Sequence, residues 1–197
     1  MAIERINLTR SDFIRIENEI RLHEHLRRYS AIRRYCFGKT LDFPCGVGYG
    51  TYLLAANPEI TSIVGVDKDE SSILWAKKEF SHEKIEFVCE DIEDFFCSAD
   101  TLVCLEAIEH FLEPRFLPNC AKKANAKQVI ISFPDKKSTH FNPFHLHDFT
   151  VQEVLDLFPE YVCYNEFKMG DVQFLLFLQK PESAPSHIFR NLPSIRK

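Results

Sequence analysis

The sequence predicts an α/β chain in which a doubly wound sheet follows an N-terminal helical segment. Three observations predict it. From Lys39 onward, short runs of β-branched and aromatic residues alternate with stretches of helical period, the pattern of βαβ units that build a parallel sheet. The first run leads through Gly46, Gly48 and Gly50 straight into a helical stretch, where glycines let the backbone turn tightly and approach a ligand. The last two runs are separated by a glycine-containing break, the signature of a hairpin that ends the sheet with an antiparallel strand. With 197 residues, 45% hydrophobic and 27% charged, the chain supports one such core and is too short for two full-sized domains.

Charge and cysteine usage narrow the function classes. Against 24 Lys plus Arg stand 29 Asp plus Glu, and the net charge of −5 excludes attachment to nucleic acid or membrane by bulk electrostatics. No apolar run reaches the length of a membrane span, and the start MAIERINLTR lacks the apolar core of a signal peptide, so a cytoplasmic protein is expected. The seven cysteines form no C-x-x-C pair and mostly sit among Phe, Val and Leu; they read as small buried hydrophobes rather than a disulfide framework or a zinc knuckle.

Taken in order, Thr9 with Asp12 gives a helix-start signature, and Phe13, Ile16, Ile20, Leu22, Leu26 and Tyr29 recur at helical spacing up to Tyr35. Arginines 15, 21, 27, 28, 33 and 34 share this segment with Glu17, Glu19 and Glu24, a solvated face of paired charges. Residues 1–38, closed by Gly38, are expected to form a helical lid. Strands are expected at Thr40–Phe43, Ser62–Val66, Ile85–Val88, Thr101–Leu105 and Gln128–Phe133, with helices at Tyr49–Ala56, Glu70–Phe80 and Arg115–Ala124 and a short turn at Glu93–Phe96. Right-handed crossovers place helices on both faces of the sheet. Thr150 with Glu153 forms a second capping signature, for a helix ending before Pro159, and the closing strands are Tyr161–Phe167 and Val172–Leu178, joined through Lys168 to Asp171. The folded domain is expected over 39–180, and 181–197, with three prolines and a basic end, as a flexible tail.

The chemistry gathers at the strand ends. G-V-G-Y-G-T at 46–51 puts its third glycine one residue early for a dinucleotide fingerprint, which argues against a pyrophosphate. Asp67 ends the second strand, where a carboxylate can accept both hydroxyls of a ribose at on the order of 1.5 to 3 kcal/mol per bond. Asp91 follows the third strand on the same edge, placed to accept an adenine amino group. Asp42, Asp67 and Asp91 thus recur at spacings of 25 and 24 residues at three successive strand ends, which points to a nucleoside.

With these motifs the sequence resembles the class I S-adenosylmethionine-dependent methyltransferases: LDFPCGVGYG as motif I, GVDKD with the ribose acid, CEDIEDF with the adenine acid and LVCLEAIEHF after the fourth strand. The resemblance spans about Lys39 to Lys180. It implies a Rossmann-like seven-stranded sheet in the order 3-2-1-4-5-7-6 with an antiparallel seventh strand, and S-adenosylmethionine as cofactor. It implies cofactor-binding roles for Asp42, Pro44, Gly46 and Gly48 in the turn, Asp67 and Lys68 at the ribose, Asp91 and Ile92 at the adenine, and Glu106 near the methionine end. Within the family, E-H-L-R-R-Y at 24–29 is similar to a bacterial subgroup associated with glycan or other small-molecule modification, and there Arg28 and Tyr29 would close over the cofactor carboxylate. Pro44 departs from the family's usual glycine and cannot donate a backbone hydrogen bond.

A hydroxyl acceptor must lose its proton to a base or a metal, whereas a carboxylate acceptor needs neither. Glu106, Glu109 and His110 follow the fourth strand at i, i+3 and i+4 and would share one face of a helical turn. His140, His145 and His147 occupy the loop after the fifth strand, so four of the eight histidines face one rim. O-methylation of a small molecule or glycan precursor is the leading expectation, with His110 or His145 as base and Glu109 as its orienting partner. The E-x-x-E-H spacing with a downstream histidine also resembles the metal-using small-RNA 2′-hydroxyl and ubiquinone-pathway O-methyltransferases, which makes a divalent metal the minority expectation. Nucleic acid is disfavoured as acceptor by the acidic charge, with the arginine face of the first helix its one candidate patch. A non-catalytic sensor or scaffold that binds the same cofactor is the alternative from outside enzymology, and the sequence is compatible with a homodimer.

Overall fold

The computed structural model describes residues 10–181 apart from Glu93 and Phe96. Thr9, and residues 182–197 of the expected tail, lie outside the described residues, as do two positions of the expected turn at 93–96. Helix α1 (Arg10–Arg33) leads to β1 (Gly38–Asp42), α2 (Tyr49–Ala55), β2 (Ile60–Asp67), α3 (Glu70–Glu79) and β3 (Ile85–Cys89). Then come β4 (Thr101–Leu105), a 3-10 turn (Ile108–His110), α4 (Phe116–Lys123), β5 (Gln128–Pro134), α5 (Val151–Leu157), β6 (Tyr161–Met169) and β7 (Val172–Gln179). The seven strands make one sheet in the order β3-β2-β1-β4-β5-β7-β6. Strand β7 runs antiparallel to both its neighbours, and the remaining pairs are parallel. This is the order the resemblance implied. No described helix is long and apolar enough to cross a membrane.

The sheet buries both faces, which is why its central strands read as unbroken apolar runs. Leu102, Cys104, Val129, Ile131, Leu175 and Phe177 pack on one side with Leu117 of α4 and Val154 of α5. The alternate positions Val103, Leu105, Ile130, Phe174 and Leu176 pack on the other with Ile32 of α1 and Leu54 of α2, as the two-residue period of a strand requires. Caps set the helix starts: the Asp69 side chain accepts from the Ser72 amide of α3, and Thr150 with Glu153 forms the expected capping box of α5. The end of α1 is tied down by Asn57, whose Nδ2 donates to the carbonyls of Arg33 at 2.6 Å and Cys36 at 2.7 Å. All seven cysteines are free; four are buried, Cys97 and Cys163 are half-buried, and Cys89 is exposed.

One connection differs from expectation. Lys168 and Met169, expected in a four-residue link, pair with Gln173 and Val172 and extend β6. The link shrinks to Gly170 and Asp171, because glycine at φ +59° closes a two-residue turn that the side chains of Lys168 and Met169 need not join.

A buried carboxylate joins the first helices to the sheet. Asp42, at the end of β1 and fully buried, accepts from Thr51 Oγ1 of α2 at 2.6 Å and from the Tyr29 hydroxyl of α1 at 3.3 Å. Burial pushes its pKa up to about 7, against the pull of those two donors. The Tyr29 ring lies on Gly50, where a Cβ would stand 2.2 Å from ring carbon. At Gly46 a Cβ would meet nothing within 4 Å, although its φ of +53° disfavours any side chain.

Two measurements test this account. Gly50→Ala should lower stability by about 1 to 3 kcal/mol through overpacking on Tyr29, whereas Gly46→Ala should cost only about 1 to 2 kcal/mol of backbone strain and leave α1 seated. Urea melts would compare the two, and Tyr29 solvent exposure would separate them. Because the pKa of Asp42 is raised on folding, its proton stabilises the native state below about pH 4, and that contribution is lost as the pH rises through about 7. Asp42→Asn should remove that slope, at most about 1.4 kcal/mol per pH unit for one proton; parallel stability profiles for the two proteins would contradict the assignment.

Candidate functional site

The carboxyl ends of β1, β2, β3 and β4 enclose a cleft with two lobes. The glycine turn sits across them: the Phe43 amide donates to Val103 O and the Cys45 amide to Val66 O, both at 2.9 Å. These bonds do not need a donor at position 44, which is why the departure to Pro44 leaves the turn intact; the Phe43-Pro44 peptide is cis. Asp67 lies opposite. Its Oδ2 accepts from the Gly46 amide at 2.8 Å and its Oδ1 from the Asp69 amide at 3.0 Å. Each oxygen of a carboxylate keeps a further lone pair, so Asp67 is fixed in place with acceptor capacity remaining.

The larger lobe, about 350 Å³, is lined by Pro44, Asp67, Lys68, Asp91, Ile92 and Glu106 together with His110, and its apolar walls include Phe43, Phe111 and Phe116. The Phe43 and Phe111 rings stack at 5.7 Å. An apolar slot with a few fixed polar groups suits a small ligand, and acids at two strand tips beside the Ile92 backbone suit a nucleoside. The smaller lobe, about 200 Å³, shares Pro44, Asp67 and Glu106 and adds Gly46, Tyr29, Arg28 and His25. The open space over Gly46 is the side from which a ligand can approach the turn without meeting a side chain.

Glu106 links the two lobes in a strained conformation. It adopts φ +51°, which costs a non-glycine residue about 1 to 2 kcal/mol. Ser132 of β5 holds it there: the Glu106 amide donates to Ser132 Oγ at 3.0 Å, and that hydroxyl donates back to Glu106 Oε1 at 2.9 Å. Arg28 Nη2 lies 3.6 Å from Glu106 Oε2. Burial raises the Glu106 pKa, and the Arg28 charge opposes the shift. Beside them Tyr49 OH and His25 Nδ1 are 3.0 Å apart.

The expected common face of Glu106, Glu109 and His110 is not formed. Glu106 turns out of the helical region and the 3-10 turn begins only at Ile108, so Glu106 and His110 face the cleft while Glu109 points inward at 1% exposure. Burial, then the nearby Glu106 charge, pushes the Glu109 pKa up to about 8, and its Oε2 has no hydrogen-bond partner among the described residues. Its Oε1 stands 4.0 Å from His110 Nε2, beyond hydrogen-bond reach. The loop after β5 clamps this turn: Leu146 N donates to Glu109 O at 2.8 Å, and His110 Nδ1 is 2.8 Å from Phe144 O. His145 meets His110 edge to face, with ring centres 4.7 Å apart, while its Nδ1 contacts Ser138 Oγ at 2.5 Å. Burial and the His110 charge lower the His145 pKa. The other loop histidines go elsewhere: His147 Nε2 contacts Phe111 O at 2.8 Å, and His140 pairs with the exposed Phe141.

Of the residues singled out in the sequence as site residues, Asp42, Gly48, Glu109 and His145 line neither lobe. Asp42 lies beneath the turn in the network above, and Gly48 packs where a Cβ would strike Ala76 and the Phe87 ring. His25 and Tyr49 were missed by sequence reasoning. Their only signal was position: Tyr49 opens α2 directly after the glycine turn, and His25 lies one helical turn before Arg28 and Tyr29.

Comparison with known proteins finds a methyltransferase domain around the site. A family model described as a methyltransferase domain matches residues 40–127. No curated protein matches the sequence significantly. Among solved structures, the chain is similar to magnesium protoporphyrin IX methyltransferase from Synechocystis PCC 6803 with bound S-adenosylhomocysteine. That match has 14% identity and a TM-score of 0.68, over 91% of this chain and 90% of that one. It is also similar to the N-methyltransferase NodS from Bradyrhizobium japonicum WM9 in complex with S-adenosylhomocysteine (17% identity, TM-score 0.65, 83% and 88% covered). A third likeness is to a chain from a complex of a methyltransferase activator in Haloferax volcanii (11% identity, TM-score 0.70, 84% and 93% covered). At these identities the likenesses show a shared fold, and the domain match covers the glycine turn and the strands that carry Asp67, Asp91 and Glu106. Residues 40–127 thus match a methyltransferase domain, and the whole sheet has the strand order of the class I S-adenosylmethionine-dependent methyltransferase fold.

Proposed function

We propose that this methyltransferase acts on a hydroxyl group of a small molecule or glycan precursor, with His110 as general base. The observation that carries the reading is the contact between His110 Nδ1 and the Phe144 carbonyl at 2.8 Å. A carbonyl can only accept, so Nδ1 carries the hydrogen and the Nε2 lone pair is left for a proton from the acceptor. His110 lines the larger lobe, within the same cleft as Asp67 and Glu106. S-adenosylmethionine supplies an electrophilic methyl group when bound. The acceptor's proton passes to His110 Nε2 as its oxygen becomes the nucleophile. In this reading the Phe144 carbonyl orients the imidazole, and Glu109, kept neutral by burial below about pH 8, forms a wall rather than a charged partner. His145 supports the ring edge of His110.

For the cofactor, we assign Asp67 to the ribose hydroxyls, Asp91 and the Ile92 amide to adenine, and Lys68 to the rim of that lobe. Gly46 and Pro44 lie under the methionine portion, with Glu106, Arg28 and Tyr29 around its polar end. Alignment of donor and acceptor and exclusion of water supply much of the acceleration in such an in-line transfer.

A second reading has one observation in its favour. Ligand atoms of Glu109, His110 and His145 lie within 4.8 Å of one another, and Glu109 Oε2 is without a partner, so the three could hold a divalent ion in a metal-assisted reaction, including one on an RNA 2′-hydroxyl.

Asp67→Ala should weaken binding of S-adenosylhomocysteine by roughly 10- to 100-fold in calorimetry; unaltered affinity would remove Asp67 from the ribose. His110→Ala should reduce turnover by about 10²- to 10⁴-fold with S-adenosylhomocysteine affinity retained, and equal turnover would reject it as base. Treatment with EDTA should leave both the melting temperature and turnover unchanged; a loss of both that Mn²⁺ restores would favour the metal reading.

A further inference from the structure

Exposed apolar side chains of this protein are not evenly spread. Leu112 is 90% exposed, Phe144 74%, Phe141 68% and Leu146 47%. All four belong to the two segments that meet at His110: Leu112 follows it by two residues and lines the larger lobe, while the other three belong to the loop after β5. That loop is firmly placed. The Asp148 carboxylate accepts from the Ser138 amide at 2.6 Å, from the Thr139 amide at 3.1 Å and from Thr139 Oγ1 at 2.6 Å. Its backbone also docks on Glu109 and His110 through Leu146 N and Phe144 O. The loop therefore holds these apolar side chains exposed at fixed positions. Single exposed apolar residues need no explanation, but a group of them on two segments that meet at a cleft residue marks a binding surface.

We propose that Leu112, Phe141, Phe144 and Leu146 form the docking surface for the apolar body of the methyl acceptor. The acceptor is then a hydrophobic small molecule carrying a hydroxyl, not a bare sugar. The inference rests on the reading of His110 as the point to which that hydroxyl is delivered. Size favours a small molecule over a second copy of the chain. Four side chains offer roughly a few hundred Å², below the ~800 Å² per partner of a stable protein interface and adequate for a drug-sized ligand. The chemistry of the rim agrees: an alkyl or aromatic body laid on Phe141 and Phe144 gains from burial without needing a charged partner.

Binding of phenol, 4-ethylphenol, 4-butylphenol and glucose to the protein saturated with S-adenosylhomocysteine, read by calorimetry, tests the surface. Affinity should rise with alkyl length, towards the three- to fourfold per methylene of full burial, and glucose should bind at least tenfold more weakly than 4-butylphenol. The double variant Phe141→Ser with Phe144→Ser, at two exposed positions, should bind S-adenosylhomocysteine as before and lose most of the gain with length. Equal affinity for phenol and 4-butylphenol, or a gain that survives in the double variant, would overturn the proposal. So would a concentration-dependent dimer that the double variant abolishes without changing alkylphenol binding, since the surface would then belong to a second copy. Methyl transfer to the bound phenols is read separately. A gain in affinity without transfer counts against His110 as base and leaves the surface standing; transfer without dependence on length counts against the surface alone.

Discussion

The buried carboxylate of Asp42 is the constraint from which the site follows. It sits at the tip of β1 with no exposure, and its two oxygens reach Tyr29 of α1 and Thr51 of α2. An unpaired acid in that position would be costly, so both helices must pack against the strand end for the fold to be stable. Once Tyr29 is seated on Gly50, Arg28 beside it comes within 3.6 Å of Glu106, and His25 one turn earlier reaches Tyr49. The first helix thus supplies one wall of the cleft through a contact made beneath the cleft.

The same arrangement explains how charges of both signs are tolerated in a small half-buried space. Asp67 is held by two backbone amides, Glu106 by Ser132 and Arg28, and Asp42 by two hydroxyls. Each acid has donors suited to its degree of burial. Burial raises the pKa of Asp42 to about 7 even so, and that of Glu109, whose Oε2 has no donor among the described residues, further, to about 8. Beside it the two imidazoles are held by the loop, His110 at Phe144 O and His145 at Ser138 Oγ.

Much of this architecture was legible in the chain. The continuous apolar runs at Thr101–Leu105 and Gln128–Phe133 announced strands buried on both faces, and both lie in the middle of the sheet. Thr150 with Glu153 announced a helix start because a capping box is a local interaction four residues wide. The acids Asp67 and Asp91 were legible as cleft residues because the ends of parallel strands share an edge. Lys168 and Met169 were misplaced because the length of a hairpin link depends on pairing with a strand whose register no local pattern gives.

By itself the sequence determined the alternation of strand and helix, the order in which glycine turn and strand-end acids appear, and hence a cleft at the strand ends of a doubly wound sheet, since these follow from periodicity and chain direction. Only the tertiary structure decided which of those acids face the cleft. Asp42 and Asp67 occupy like positions on neighbouring strands, yet one is sealed under α1 and the other opens into both lobes. Likewise Glu109 and His110 are adjacent, but the strained backbone at Glu106 turns one inward and the other toward the ligand space. Side-chain direction at such points is set by what packs against them from distant parts of the chain, and that information is absent from spacing alone.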